Sequence, residues 1–342
     1  MSSIPSATIS SETVEKLILR HVREFVSPQL VANPVVSVLV ATFNHRPYIQ
    51  RCVETILAQI TDFDYEIIIS DDCSTDGTTE VVQRLQAEFP ERIRLLCTDK
   101  NLWEPEPGVF AVMPLAYIMR ARGRYLSFIE GDDYLISTAK FQHDVDFLEA
   151  CPDYNLCFHN AVVEDEGTRQ ELKRLWMRHE PNDRDFSFEE LAAHFVPPTA
   201  GMMMRNLGQQ LPKRPWMIFS SLRLIGMCLS TLSDGKARYF AESMSVYRVT
   251  KSGQAASEMH PGKHLDDLLA HFGMLYGALN VDFQFGKHVA LTEGLKKNIE
   301  RLTESHFRHS ALPRLEIVSI GQLIRVMIRR IRVRFWNALF KN

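Results

Sequence analysis

The sequence predicts an α/β domain built on a parallel sheet with helices on both faces, followed by a helical C-terminal region. Two observations carry this. Short, β-branched apolar segments alternate with segments of helical period from Val35 onward, the order that builds parallel sheets through right-handed crossovers. The strand segments are apolar at nearly every position, as strands buried on both faces are. A chain of 342 residues is long for one core and short for three, which fits one such domain with an appended helical region.

The elements follow in order. Glu12 to Phe25 carries Val14, Leu17, Ile18, Val22 and Phe25 at helical spacing and ends before Pro28, so residues 1–33 read as an amphipathic leader helix and its tail. Strands are expected over Val35–Ala41, Tyr65–Ser70, Ile93–Cys97 and Tyr125–Ile129, with helices over Tyr48–Ile60, Thr79–Phe89 and Val109–Ala121 between them. A helix over Thr138–Ala150, a strand near Tyr154–His159 and a charged, loop-rich stretch from Glu164 to Asp185 come next. Gly201–Arg205 reads as strand, Trp216–Leu232 as helix, and Gly235–Arg248 closes the domain. From His264 the pattern is helical, with Pro313 setting off the last helix.

Lys and Arg (39) nearly balance Asp and Glu (42), for a formal charge of -3, which argues against a nucleic-acid partner and its basic footprint. Met1 to Ser11 has neither the basic n-region nor the apolar h-region of a secretory signal, and no apolar run reaches spanning length. The six cysteines include no C-x-x-C pair and read as packed, reduced thiols. A cytoplasmic location is the expectation.

In a parallel sheet the ligand lies beyond the carboxyl ends of the strands, so residues delivered there share a crevice despite their separation in sequence. The first strand exits into Thr42-Phe43-Asn44, the second into Asp71-Asp72-Cys73-Ser74-Thr75-Asp76-Gly77, and the fourth into Glu130-Gly131-Asp132-Asp133. Carboxylates at adjacent exits repel unless a cation or hydrogen-bonding ligand shares the site, and hard oxygen donors favour Mg²⁺ or Mn²⁺ over zinc. Asp71, Asp72, Asp76 and Ser74 admit a second reading as caps of the following helix. Arg122 and Lys140 read either as phosphate contacts or as solvated charges, and His159 as a buried, hydrogen-bonded histidine rather than a metal ligand. Neither G-x-G-x-x-G nor G-x-x-x-x-G-K-[ST] follows the first strand, which argues against nicotinamide, flavin and P-loop nucleotide binding. A diphosphate here needs a metal, rather than a helix N-terminus, to neutralise it.

VVSVLVATFN, EIIISDDCSTDGT, KNLW, ARGRYLSFIEGDDYL and KFQHDVDFLEACPDYNLCFHN occur in that order from Val35 to Asn160, and GKARYFAESMSVYR continues to Arg248. This series resembles bacterial family 2 glycosyltransferases. The resemblance implies a GT-A nucleotide-diphospho-sugar transferase fold, a Rossmann-like mixed sheet with helices on both faces. It implies a catalytic domain over 34–250, with a nucleotide-sugar half at 34–160 and an acceptor half at 161–250, and a C-terminal helical region over 251–342. The implied donor site comprises Ala41, Thr42, Phe43, Asn44, Asp71, Asp72, Asp76, Asn101, Glu130, Gly131 and Arg248. Phe43 lies where the family sets a group against the nucleobase, and Asp72 where it holds the base edge. Asp132 matches the metal-binding carboxylate of the D-x-D position, Glu130 supports it, and Asp133 resembles the acid beside donor sugar and acceptor.

The implied activity is metal-assisted, inverting transfer from a nucleotide-diphospho-sugar, a UDP-sugar by resemblance, to a glycan or lipid-linked acceptor in bacterial surface polysaccharide synthesis. The alternative is a catalytically silent nucleotide-sugar-binding partner in a glycan assembly complex. Two departures from the family favour keeping it. Relatives follow Tyr-Arg-x with histidine where this chain has Thr250, and they carry an acidic base near the position of Met227. Between Glu190 and Asp234 the chain has no acidic residue, leaving Asp133, Asp234 and His194 as base candidates. In the tail, Ile320, Ile324, Met327, Ile328, Ile331 and Phe335 share one helical stripe opposite Arg325, Arg329 and Arg332, with Trp336 following. Residues 315–342 therefore read either as an interfacial helix on the anionic inner face of the cell membrane or as a helix docked on the domain itself.

Overall fold

A computed structural model of the chain describes residues 18–102, 112–166, 174–193, 196–208, 223–232, 235–250 and Lys297. The strands are β1 (Val22–Phe25), β2 (Val36–Thr42), β3 (Tyr65–Asp71), β4 (Ile93–Thr98), β5 (Tyr125–Glu130), β6 (Tyr134–Leu135), β7 (Tyr154–Asp165), β8 (Arg174–Leu175), β9 (Arg184–Phe186), β10 (Met202–Arg205) and β11 (Lys236–Val249). The helices are α1 (Ile49–Leu57), α2 (Thr78–Glu88), α3 (Val112–Arg120), α4 (Lys140–Ala150), α5 (Phe188–Ala193) and α6 (Arg223–Thr231).

All eleven strands of the described residues join one sheet, whose main path runs β1-β4-β3-β2-β5-β10-β7-β11-β6. The half formed by β4, β3, β2 and β5 is parallel, as the alternating pattern requires. Beyond β5 the sheet becomes mixed, because β10 runs antiparallel between β5 and β7, while β11 returns parallel to β7. The two halves of the strand pattern face different packing. Val36, Val38 and Val40 point to a cluster with Ile49, Val53 and Ile56 of α1, whereas Leu39 joins Leu126, Phe158 and Met202 on the opposite face. Burial of both faces explains why these strands read as continuous apolar runs.

The leader helix expected through Phe25 is corrected by the structure. Among the described residues, helix is confined to 18–21, and Val22–Phe25 forms an edge strand registered antiparallel on β4, from Val22↔Thr98 to Phe25↔Leu95. The open backbone edge of β4 offers hydrogen bonds that the local period of four residues does not reveal. The strand expected to end at His159 continues to Asp165, and the charged stretch after it contains β8 and β9, which pair with β7 and β11. The helical region expected over 251–342, including the tail at 315–342, lies outside the described residues apart from Lys297. No helix among the described residues is long and apolar enough to cross a membrane.

Arg122 serves the entry end of the sheet. Its guanidinium pairs with Glu66 at 2.7 Å, and Ser37 donates to the same carboxylate at 2.7 Å. Lys140 is buried as well. Its Nζ lies 2.7 Å from Asp144 Oδ2, while His159 Nε2 lies 2.6 Å from Asp144 Oδ1, and all three side chains are fully buried. Phe240 stacks on the His159 ring at 5.0 Å. Against the cost of burial, the Lys140 ammonium and the His159 ring hold the Asp144 carboxyl well below the usual carboxylate range.

Asp144 therefore stabilises the fold at pH values above its unfolded pKa, and that contribution is lost as pH falls toward its folded value. Lys140→Met leaves the buried Asp144 carboxylate with His159 but without its ammonium partner, and the expected cost is about 3–5 kcal/mol. Urea unfolding at pH 7 reads it as a lower midpoint, with a smaller penalty at pH 3 because the carboxyl that has lost the ammonium then protonates.

Candidate active site

Register brings the three polar exits together. Thr42 at the end of β2 pairs with Asp71 at the end of β3, and Ala41 pairs with Glu130 at the end of β5. The chain then turns sharply, through left-handed residues at Asn44 (φ 55) and Cys73 (φ 63), a region in which Asn is favoured among non-glycine residues. Two backbone bonds lock the exits to one another: Asp72 N–H donates to Thr42 O at 3.1 Å, and Gly131 N–H donates to Ala41 O at 2.7 Å.

The acidic residues of the second exit divide by role. Asp71 is buried and accepts from Ser74 Oγ at 2.5 Å and from the Thr79 hydroxyl. Asp76 accepts from Thr78 N–H at 3.0 Å and Arg46 N–H at 3.0 Å, so, one residue before the Gly77 N-cap, it takes up the first N–H of α2 and ties the first exit to the second. Ser74 Oγ also accepts from Asn44 N–H at 2.9 Å. Asp72 is braced from the end of β4, its Oδ1 accepting from Leu102 N–H at 2.8 Å and Thr98 Oγ1 at 3.2 Å. The Asn101 side chain donates to Asp72 O at 3.4 Å. Phe43, 42% exposed, presents an apolar face beside these polar groups.

The third exit is a tight carboxylate cluster. Gly131 is required there by contact, since a Cβ would meet His45 Nδ1 and Thr42 Oγ1 at 2.8 Å. Asp132 is partly exposed and lies 3.9 Å from His45 Nε2. Asp133 is buried, and its Oδ1 accepts from Arg248 N–H at 2.8 Å. Burial, reinforced by the neighbouring Asp132 charge, pushes the Glu130 carboxyl up to about 7 and the Asp133 carboxyl well above its ordinary value. Burial lowers the His45 pKa, against the opposing pull of Asp132, Asp76 and Asp71. Thr42 Oγ1, His45 Nδ1 and Asp133 Oδ2 are buried without a hydrogen-bond partner among the described residues. Leaving such atoms unsatisfied costs about 1–3 kcal/mol each, so this cluster suits a polar or cationic ligand.

Arg248 meets the site through its backbone. Its guanidinium lies 4.9 Å from the ring centroids of both Tyr48 and Tyr134, and its Nε is 3.6 Å from Glu164. Sequence reasoning missed this aromatic cage and also His45, which reading one residue further into the first exit would have found. Met227 is 1% exposed inside the apolar cluster with Met202 and Met204. The position compared with the family base therefore faces the core rather than the crevice. His194 and Asp234 lie outside the described residues. A second group of metal-ligand type, His143, Asp144 and His159, holds its ligand atoms within 4.8 Å. The buried Lys140 ammonium already neutralises Asp144 there and opposes a second cation.

The carboxyl cluster fixes a pH dependence of stability. With a folded value of about 7 against an ordinary 4.5, Glu130 holds its proton more tightly in the folded state, so it lowers stability as pH rises between those values. Glu130→Gln is expected to stabilise the metal-free protein by about 1–3 kcal/mol at pH 8 and to be neutral at pH 4. Urea unfolding at the two pH values checks it.

The chain has relatives among known proteins. An uncharacterized protein of Mycobacterium tuberculosis is 31% identical over 172 residues, 50% of this chain and 46% of its own length, so the chain spans about half the length of the curated relatives it first matches. The Escherichia coli UDP-Glc:alpha-D-GlcNAc-diphosphoundecaprenol beta-1,3-glucosyltransferase WfaP is 31% identical over 115 residues, 34% of this chain and 41% of its own. The crystal structure of S. aureus TarS 1-349 in complex with UDP-GlcNAc superposes with a TM-score of 0.62 at 15% identity, covering 87% of this chain and 83% of that one. That likeness shows a shared GT-A fold. The model of glycosyl transferase family 2 matches residues 37–211, half of the chain, and the chain belongs to that family of glycosyltransferases.

Proposed function

We propose that the protein transfers a sugar from a nucleotide-diphospho-sugar, a UDP-sugar, to a glycan or lipid-linked acceptor in bacterial surface polysaccharide synthesis, with inversion at the transferred carbon. The observation that carries this reading is the meeting of Phe43, Asp72 and Asp132 at adjacent exits of β2, β3 and β5. Phe43 offers a face to the base, Asp72 an acceptor for its edge, and Asp132 a carboxylate for a diphosphate-bound cation. The UDP-Glc donor and lipid-diphosphate acceptor in the name of the Escherichia coli relative, and UDP-GlcNAc in the TarS complex, support the same donor and acceptor chemistry.

Asp132, with Glu130 behind it, fits Mn²⁺ or Mg²⁺, since the exit offers carboxylate oxygens and buried polar atoms without hydrogen-bond partners among the described residues. A bound divalent ion stabilises the charge that develops on the leaving diphosphate. The residues supply the rest: Thr42, Asn44 and Gly131 shape the floor, and Asp133 lies beside the reacting sugar. Asp133 is the base candidate among the described residues, its Oδ1 held by Arg248 N–H, and a cation at Asp132 would favour its ionised form.

A second reading, a nucleotide-sugar-binding partner without turnover, is favoured by one observation, the burial of Met227 in the core. A general base contributes about a hundred- to ten-thousand-fold to rate, so Asp133→Asn separates the two. Transfer and donor-hydrolysis rates should fall by that factor with UDP affinity retained if the protein turns over, whereas a binding module leaves UDP-sugars intact in the wild type. The basic stripe over 315–342 is assigned to an anionic membrane surface. Truncation after Pro313 should abolish salt-sensitive binding to phosphatidylserine vesicles, and equal binding by both forms overturns that assignment.

The donor site itself is tested at Asp132. Asp132→Ala removes a partly exposed carboxylate at a strand exit, so the fold should persist while Mn²⁺-dependent UDP binding is lost. Calorimetry with UDP and Mn²⁺ reads the result, and unchanged affinity would refute the metal assignment.

A further inference from the structure

We propose that His45 is a nitrogen ligand of the donor-site cation, joining Asp132 across the crevice and giving this enzyme a preference for Mn²⁺ over Mg²⁺. The inference rests on the donor site proposed above. It goes beyond that reading in assigning a ligand from the first strand exit and in choosing between the two ions.

The geometry begins with the backbone. His45 O accepts from Tyr48 N–H and Ile49 N–H, both at 2.9 Å, so the residue is fixed at the start of α1 and its carbonyl is used by the helix. Its ring therefore projects from a rigid element. The ring packs against Gly131, where any side chain would collide with Nδ1 at 2.8 Å, and Tyr48 meets it edge-on at 6.4 Å. These contacts leave Nε2 directed at Asp132.

The separation then selects coordination over hydrogen bonding. His45 Nε2 lies 3.9 Å from Asp132 Oδ2, beyond the reach of a direct hydrogen bond. Bonds of about 2.1 Å from a metal to imidazole nitrogen and to carboxylate oxygen let one ion span up to about 4.2 Å between two ligands. One cation can therefore bridge the pair with little movement of either side chain. Both side chains are largely shielded, 18% and 13% exposed, and neighbouring Thr42 Oγ1 and Asp133 Oδ2 are buried without partners among the described residues. A cation between His45 and Asp132 would orient the water or donor oxygens that satisfy those atoms.

Nitrogen ligation has a chemical signature. Imidazole suits Mn²⁺ better than Mg²⁺, which demands oxygen ligands and holds its water tightly. The full chain is titrated with Mn²⁺ in the presence of UDP and followed by electron paramagnetic resonance, with electron spin-echo envelope modulation to detect nitrogen coupled to the ion. The expected result is a nitrogen coupling in the wild type that vanishes in His45→Ala and His45→Asn. Mn²⁺ affinity should fall at least about tenfold in both, the lower end of what loss of even an outer-shell partner costs, and the preference over Mg²⁺ should flatten. The wild-type spectrum needs no variant, so a poorly folded substitution cannot obscure the answer. Mn²⁺ bound with UDP but without nitrogen coupling, or with a coupling that survives His45→Ala, overturns the role of His45 and leaves the donor site standing. Failure of the wild type to bind Mn²⁺ with UDP overturns the metal-dependent donor site and this inference together.

Discussion

The parallel pairing of β2 with β3 on one side and β5 on the other is the constraint on which the site depends. Parallel strands end on the same side of a sheet, so the in-register pairs Thr42↔Asp71 and Ala41↔Glu130 bring together groups separated by tens of residues in the chain. A shift of one residue in either pairing would send Val36, Val38 and Val40 to the face that packs Leu39, disrupting both apolar clusters and mispairing the polar exits. The apolar clusters on the two faces of the sheet thus hold the active-site geometry in place. Their contribution to function is register.

The same convergence creates an electrostatic problem that the fold resolves in two ways. Asp71 and Asp76 are satisfied by hydroxyl and backbone donors from their own loop and the start of α2 and, for Asp76, from Arg46 N–H of the first exit. Glu130, Asp132 and Asp133 lack that supply, and burial drives the outer two toward the protonated form. The first pair stiffens the turn between β3 and α2. The second cluster keeps carboxyls raised by burial and by one another, the kind of perturbation that marks a candidate functional site.

Legibility in the sequence followed the range of the forces involved. The run Val36 to Thr42 was readable because each residue reports its own burial, and the acidic exits were readable because strand ends in parallel sheets have a known role. Val22–Phe25 was misread because four residues carry little period, and the β4 edge that captures them is some seventy residues away. The role of Arg122 is likewise invisible, since its partner Glu66 becomes a neighbour through the fold, whereas Lys140 and Asp144 are i,i+4 on one helix and only their burial against His159 needs the fold. His45 stands in the sequence at the first exit, but its contact with Gly131 and Asp132 exists only once β2 and β5 are side by side.

Met227 shows where motif comparison and physics part. Alignment by spacing sets it opposite an acidic residue of relatives, but its side chain lies on α6 packed against Met202 and Met204, with Cys228 beside it. An acid there would be a buried charge without a partner, at a cost of several kcal/mol, so this packing and a base at that position exclude one another. Catalysis by this chain must then draw its base from a group near Asp132 or from a segment that approaches the crevice from outside the sheet. Asp133 meets the first condition, because the Arg248 backbone fixes one of its oxygens while the other is left for a ligand. A cation held by its neighbour would convert that carboxyl from a buried acid into a base, coupling donor binding to proton acceptance.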